Sequence, residues 1–268
     1  MAKLLEGKIV ADKIKEDLKA RVQSLKQVPV LASIVIGENV GAISYAKSQQ
    51  RLADELGIKY CLHVLPEAAA ESQIIQLIQE LNNDKSVQGV IIQMPLPKQI
   101  DGQLISRVIV RNKDIEGVNP PVVAAVMELI KTSGVDLYGK EVVVVGHSEI
   151  VGKPLVFLLL DKFATVTVCH IGTSKAGKLE EHVRRAEVLI VAVGKAGLIK
   201  GEWIKEGAVV IDVGINCVGD KIVGDVEFES AAKRASFITP VPKGVGPLTV
   251  AMLMRNLVEA ACAQQSGS

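Results

Sequence analysis

With 268 residues, 49% of them apolar and only 3% aromatic, the chain suits one large domain or two ordinary ones with cores of Val, Ile, Leu and Ala. A formal charge of +1 argues against nucleic acid or a membrane surface as partner, though not against an anionic small molecule in a local pocket. Cys61, Cys169, Cys217 and Cys262 are scattered without a C-x-x-C pair, which indicates neither a disulfide framework nor a metal site and fits a reducing, cytoplasmic setting.

The opening stretch, "MAKLLEGKIVADKIKEDLKARV", carries acids and lysines throughout and does not read as a signal peptide. Residues 8–26 have helical periodicity. "VLASIVIG" (30–37) is a strand ending in glycine, and a helix follows to Leu56, where Gly57 is a stop. "KYCLHVLP" is the next strand, 71–83 the next helix, and "GVIIQMPLP" (89–97) a third strand closed by prolines. Strands separated by helices imply right-handed crossovers and a parallel sheet.

A helix over 121–133 connects this series to a second one. There "EVVVVG" (141–146), "ATVTVCH", "VLIVAVG" and "AVVIDVG" are strands, and "SFITPVP" is a fifth. A helix opens near Gly152, Lys153 and Pro154, proline being favoured in a first turn. A last helix spans about Leu248 to Ala261, and "AQQSGS" is expected to fray. No apolar run approaches the ~18 residues of a membrane helix. The fold class is α/β, built of two units.

"VVVVGHSEIVGKP" follows a strand and opens a helix, the setting in which a glycine turn admits a pyrophosphate to a helix N-terminus. Gly146 and Gly152 do not have the G-x-G-x-x-G spacing, so a tight turn without ligand stays open on this string alone. The further strand–glycine endings at Gly194 and Gly214 favour a ligand, because open α/β sheets bind at the carboxyl ends of their strands. The second strand ends "VCHIGTS", with neither an acid for an NAD ribose nor an arginine for a 2′-phosphate.

In "SYAKSQQ" (44–50), Tyr45 and Gln49 are four apart and share a helix face, with Lys47 on another. A ring beside a carboxamide is one wall of a site or a solvated face. Gln93 is a polar residue in an apolar strand and needs a partner if buried.

Taken together, "GVIIQMPLPKQI", "VVVVGHSEIVGKP", "TVTVCH", "VLIVAVGKAGLIKGEWIKEGAVVIDVGIN", "VGDVEF" and "ITPVPKGVGPLTVAML" closely resemble the methylenetetrahydrofolate dehydrogenase/cyclohydrolase family, in the same order and over nearly the whole chain. The resemblance implies a folate-side catalytic domain of residues 1–121 plus 248–268, a Rossmann-like NAD(P)-binding domain of residues 122–247, a cleft between them, and a homodimer. It implies hydride transfer from 5,10-methylenetetrahydrofolate to NAD(P)+, then hydrolysis of the methenyl product. On the substrate side it assigns Tyr45 to the folate rings, Gln93 to tuning of a catalytic lysine, Glu116 to the pterin, and Lys243, Gly246 and Pro247 to substrate contact. Cofactor contacts fall on Gly146, His147, Ser148, Ile150, Gly152, Ile171 and Ile215, and no metal is implied.

The lysine position itself falls on Gln49. A carboxamide hydrogen-bonds but has no proton to trade near neutral pH. Other departures are Glu116 for an aspartate, Asn119 for a histidine, Lys243 for a glycine, and a connector missing after Pro121. His147 and Ile171 replace the arginine and serine that hold a 2′-phosphate in NADP-using members, which favours NAD over NADP. The expectation is a dehydrogenase with weak or absent cyclohydrolase activity. The alternatives are a non-catalytic folate- or nucleotide-binding paralogue, or a dehydrogenase for a modified one-carbon carrier.

Overall fold

The computed structural model of the protein describes residues 1–117 and 119–266. In chain order its elements are strand β1 (Lys3–Leu4), helix α1 (Gly7–Ser24), β2 (Val30–Ile36), α2 (Val40–Leu56), β3 (Lys59–Leu65), α3 (Glu71–Asn83), β4 (Gly89–Ile92) and α4 (Gly102–Val108). Then come α5 (Pro121–Ser133), β5 (Glu141–Val145), α6 (Gly152–Leu160), β6 (Thr165–Cys169), α7 (Ile171–Lys175), α8 (Leu179–Arg185), β7 (Val188–Val191) and β8 (Val209–Asp212). A hairpin of β9 (Asn216–Val218) and β10 (Lys221–Val223), α9 (Phe228–Ala231), β11 (Phe237–Ile238) and α10 (Val245–Ser266) complete the chain. The residues group into two compact α/β units, Asp12–Pro121 with Val250–Ser268, and Met1–Ala11 with Val122–Thr249.

The first of these units holds a three-stranded parallel sheet in the order β3-β2-β4. All seven residues of β2 are buried, as a continuous apolar run in a central parallel strand requires. Helix α2 starts where Asn39 Oδ1 accepts from the Ala42 amide at 3.0 Å and stops at Gly57, whose φ is 75°. Its buried residues, Ala42, Ala46, Gln49, Leu52, Ala53 and Leu56, form one stripe at helical spacing. Gln49 therefore lies inside an apolar stripe.

The second unit holds a six-stranded parallel sheet in the order β1-β11-β8-β7-β5-β6. Its core is dominated by Val143, Val145, Leu189, Val191 and Val210. The chain runs from β5 out to β6, then returns to the other side of β5 as β7. That reversal is a topological switch point, with Gly146 at the end of β5.

Residues 1–11 group with 122–249. The cause is β1, which pairs Lys3 with Phe237 and Leu4 with Ile238 and is too short to carry a periodic signal. Two expectations about element ends are corrected, for the third strand and the tail. The third strand ends at Ile92, not 97, since Pro95 and Pro97 bring no amide donor to a sheet ladder. The tail does not fray through Ser266: Gln264 Nε2 donates to the Gln88 and Asn112 carbonyls at 2.9 and 2.7 Å, which keeps the last turn of α10 anchored. Gly267 and Ser268 lie outside the described residues.

Candidate active site

In the unit of residues 12–121 and 250–268, the inner stripe of α2 brings Gln49 to Gln93, which directly follows β4, and Gln93 in turn reaches Ser33 in the middle of β2. Gln49 is fully buried and Gln93 is 2% exposed. Gln93 Nε2 donates to Gln49 Oε1 at 2.8 Å and to Ser33 Oγ at 2.9 Å. Gln49 Nε2 donates back to Gln93 Oε1 at 3.4 Å, and the Tyr60 hydroxyl donates to Gln49 Oε1 at 3.0 Å. The two carboxamides thus form a reciprocal pair with both lone pairs of Gln49 Oε1 filled. Buried polar groups left unpaired are costly, so this pairing is what permits two glutamines in an apolar layer. Ser33 and Tyr60 carried no sequence signal as site residues. The clue available was a tyrosine in an aromatic-poor chain.

Tyr45 stands one turn before Gln49 on α2 and is half-buried. Burial first, then the nearby Glu116 charge, hold its hydroxyl far above the ordinary tyrosine range, against a hydrogen bond with Gln49 that works the other way. Burial pushes Tyr60 up to about 12, opposed by a hydrogen bond with Ser33. Neither phenol ionises near neutral pH. Glu116 does: burial, with Asp114 adding to it, raises its carboxyl to about 7. Tyr45, Gln49, Gln93 and Glu116, assigned from distant parts of the chain, are brought together.

The segment bearing Glu116 is built from both sides. Lys113 is 5% exposed and its Nζ donates to the carbonyls of Leu81 and Asn82 at 2.8 Å and of Asp84 at 2.6 Å, closing the end of α3. Asp114 Oδ1 accepts from the amides of Glu116 and Gly117 at 3.1 and 2.8 Å, an Asx turn that sets the Glu116 backbone. Pro121 starts α5 directly after it, as the missing connector implies.

The other assigned residues lie in the second unit. Gly146 has φ of 125°, and a Cβ there would collide with the Ala192 carbonyl, while a Cβ on Gly152 would collide with the Gly146 carbonyl. Only glycines allow this turn to fold so close to β7 and then open α6. Ser148 Oγ accepts from the Val151 amide at 3.2 Å inside the turn. The rings of His147 and His170 are 5.1 Å apart, and His170 Nδ1 accepts from Gly172 N at 3.1 Å to cap α7. Ile150, Ile171 and Ile215 are 49%, 66% and 63% exposed, three apolar side chains left open at or after the sheet's carboxyl edge. A close glycine turn, a helix N-terminus and open apolar side chains fit a dinucleotide's pyrophosphate and flat rings.

Two acids that sequence reasoning passed over shape the neighbouring loops. Asp225, fully buried, accepts from the amides of Val193, Gly194 and Lys195 at 2.7, 3.0 and 2.8 Å and from Asn216 Nδ2 at 2.9 Å. Asp212 accepts from the amides of Gly214, Asp225 and Val226 at 2.9, 3.0 and 2.9 Å. Burial still raises Asp212 to about 6. Their signal was an acid inside an apolar strand and one in "VGDVEF". Lys243, Gly246 and Pro247, assigned to substrate, are in this unit too. Lys243 has φ of 88°, and a Cβ on Gly246 would lie 3.8 Å from Ile215 Cδ1.

A glycine turn at the switch point of a parallel sheet, in a chain whose other α/β unit gathers a buried polar cluster, marks a two-unit α/β protein of the nucleotide-binding class. Residues 5–116 match the family model for the tetrahydrofolate dehydrogenase/cyclohydrolase catalytic domain, and residues 120–265 match the model for the NAD(P)-binding domain of the same family. The chain belongs to the tetrahydrofolate dehydrogenase/cyclohydrolase family. It is 47% identical over 279 residues to the bifunctional protein FolD of Acetivibrio thermocellus, covering 97% of each chain. The solved bifunctional FolD of Campylobacter jejuni is 41% identical with a TM-score of 0.94, over 98% of this chain and 99% of that one. The Trypanosoma brucei enzyme, solved with NADP and an inhibitor, is 34% identical with a TM-score of 0.93, over 98% of each chain. Among the described residues no helix is long and apolar enough to cross a membrane, and no group of three or more His, Cys, Asp or Glu is arranged to hold a metal ion.

Proposed function

We propose that the protein is an NAD(P)-dependent methylenetetrahydrofolate dehydrogenase in which the cyclohydrolase step is weak or absent. The observation that carries this is Gln49, fully buried with its carbonyl oxygen saturated by Gln93 and Tyr60. The turn of Gly146, His147, Ser148, Ile150 and Gly152, with Ile171 and Ile215, would hold NAD+ or NADP+, which would supply the hydride acceptor. Oxidation of the substrate methylene releases hydride and leaves a methenyl cation, and this asks the protein mainly for alignment of two flat reactants. Tyr45 offers a ring face for the folate, Glu116 an acceptor for pterin N–H groups, and Gln49 a neutral N–H donor. Lys243, Gly246 and Pro247 complete the substrate contacts in this reading.

Hydrolysis of the methenyl product asks for more. Water adds to the cation and must lose a proton, and ring opening needs one delivered. Neither carboxamide exchanges protons near neutral pH, and both phenols titrate too high. Of Tyr45, Tyr60, Gln49, Gln93 and Glu116, the carboxyl of Glu116 is the one raised into the neutral range, and in this reading it is the group left to serve residual hydrolysis. NAD is the favoured acceptor, because Ile171 brings no hydrogen bond or charge to the end of β6. The working unit in this reading is a homodimer.

The test is a pair of absorbance assays on the purified protein, one for NADH or NADPH formation from methylenetetrahydrofolate and one for loss of methenyltetrahydrofolate. Oxidation faster with NAD, with hydrolysis slower by about 100-fold or more, is expected. Hydrolysis keeping pace with oxidation would overturn the assignment of Gln49.

A further inference from the structure

We infer that Asn256 on α10 is a positioning residue for Glu116, clamping the backbone of the segment that carries it on both sides. This rests on the proposed contact between Glu116 and the substrate. Asn256 Nδ2 donates to the Ile115 carbonyl at 2.8 Å and to the Asn119 carbonyl at 2.7 Å. Both hydrogens of one amide are thus spent on two carbonyls that bracket Glu116 in the chain. Asn256 is 8% exposed, so water is a poor substitute for either bond.

The residue type suits the task. A planar amide presents two donors at a fixed spread, whereas leucine packs but leaves two carbonyls unpaired. The helix that carries it is seated firmly. A Cβ on Gly89 would collide with Leu257 and Ile115, so α10, β4 and the start of the Glu116 segment are in direct contact. Asp114 fixes the Glu116 amide and Asn256 fixes the flanking carbonyls, and the Glu116 carboxyl is left near enough to Tyr45 for its charge to be felt there. Among the described residues, Asp114 and Tyr45 are the titratable groups whose charge state is coupled to that of Glu116. Freed of the clamp, the segment lets the carboxyl drift toward solvent, and each charge-assisted hydrogen bond it then loses to the substrate weakens binding by about ten-fold or more.

The experiment is steady-state kinetics of full-length Asn256→Ala with methylenetetrahydrofolate and the dinucleotide, across pH. The folate KM should rise on the order of ten-fold while the dinucleotide KM stays within about two-fold. The pH at which the folate KM changes should move lower, because a wetter Glu116 ionises more easily. In a Glu116→Gln background, Asn256→Ala should add nothing further to the folate KM. Equal losses in both backgrounds, or a folded Asn256→Ala with unchanged folate KM and pH profile, would overturn the inference. If Asn256→Ala does not fold, Asn256→Gln, which keeps the donors on a longer arm, should show the same selective rise in folate KM; an unchanged value would again overturn it. Glu116→Gln alone separates the two ideas. If it is silent, the proposed substrate contact falls and the inference with it. If it raises the folate KM while Asn256→Ala does not, only the clamp falls.

Discussion

Glu116 combines a functional assignment with a stability penalty. Its folded-state value near 7 stands above the ordinary 4.5, so ionisation is disfavoured in the fold. The stability linked to its protonated form is complete below about 4.5 and is lost as pH rises through 7. A glutamine there stays neutral. Glu116→Gln should therefore leave Tm nearly unchanged at pH 4.5 and raise stability by up to about 3 kcal/mol at pH 8. A Tm gain of the same size at both pH values would contradict the buried-acid account. Gln49 is the complementary case. Gln49→Lys places an ammonium beside Gln93 Oε1 and the Tyr60 hydroxyl, both able to accept from it. Methenyltetrahydrofolate hydrolysis should then rise by about 100-fold, followed by the fall in methenyl absorbance. No gain would mean that the proton path is broken elsewhere.

At the scale of elements, the loop into α10 carries strain that its sequence announces only indirectly. Lys243 adopts φ of 88°, a left-handed conformation that a side chain resists. Its carbonyl accepts from the Lys8 amide at 3.2 Å, and a Cβ on Gly7 would collide with the Gly244 carbonyl, so the loop is held from outside. Lys243→Gly should stabilise the fold by about 0.5–1 kcal/mol, read as a higher Tm. A lower Tm would show that the lysine side chain contributes more than its backbone costs. Long elements were legible in the sequence because periodicity accumulates over many residues, as in β2, α2 and α3. The hairpin of β9 and β10, the short helices α7 to α9, and β1 were not, since they are short and, unlike the equally short strands β5, β7 and β8, lack a continuous buried apolar run.

For the whole molecule, the first residues complete the sheet of the unit that also holds residues 122–249. Ala2 N donates to the Ala232 carbonyl at 2.7 Å, Leu5 N donates to the Ile238 carbonyl at 2.9 Å, and the Leu5 side chain is 3% exposed. Deleting residues 2–5 should uncover β11 and lower the melting temperature of that unit by several degrees, at a cost of about 2–4 kcal/mol for a lost apolar side chain and edge pairing. An unchanged calorimetric profile would argue that β1 is dispensable.

By itself the sequence determined the alternating α/β plan, the glycine turn after β5, the family resemblance and the absence of a proton-trading side chain at position 49. These are local or string properties, readable from neighbours in the chain. Only the tertiary structure decided that Gln49 is buried and reciprocally bonded to Gln93, 44 residues away, with Tyr60 closing the pair. It alone paired β1 with β11 and set Asn256 across the Glu116 segment. Such pairings depend on which strands lie side by side and which helix face turns inward, and sheet topology settles both only when the whole chain has packed.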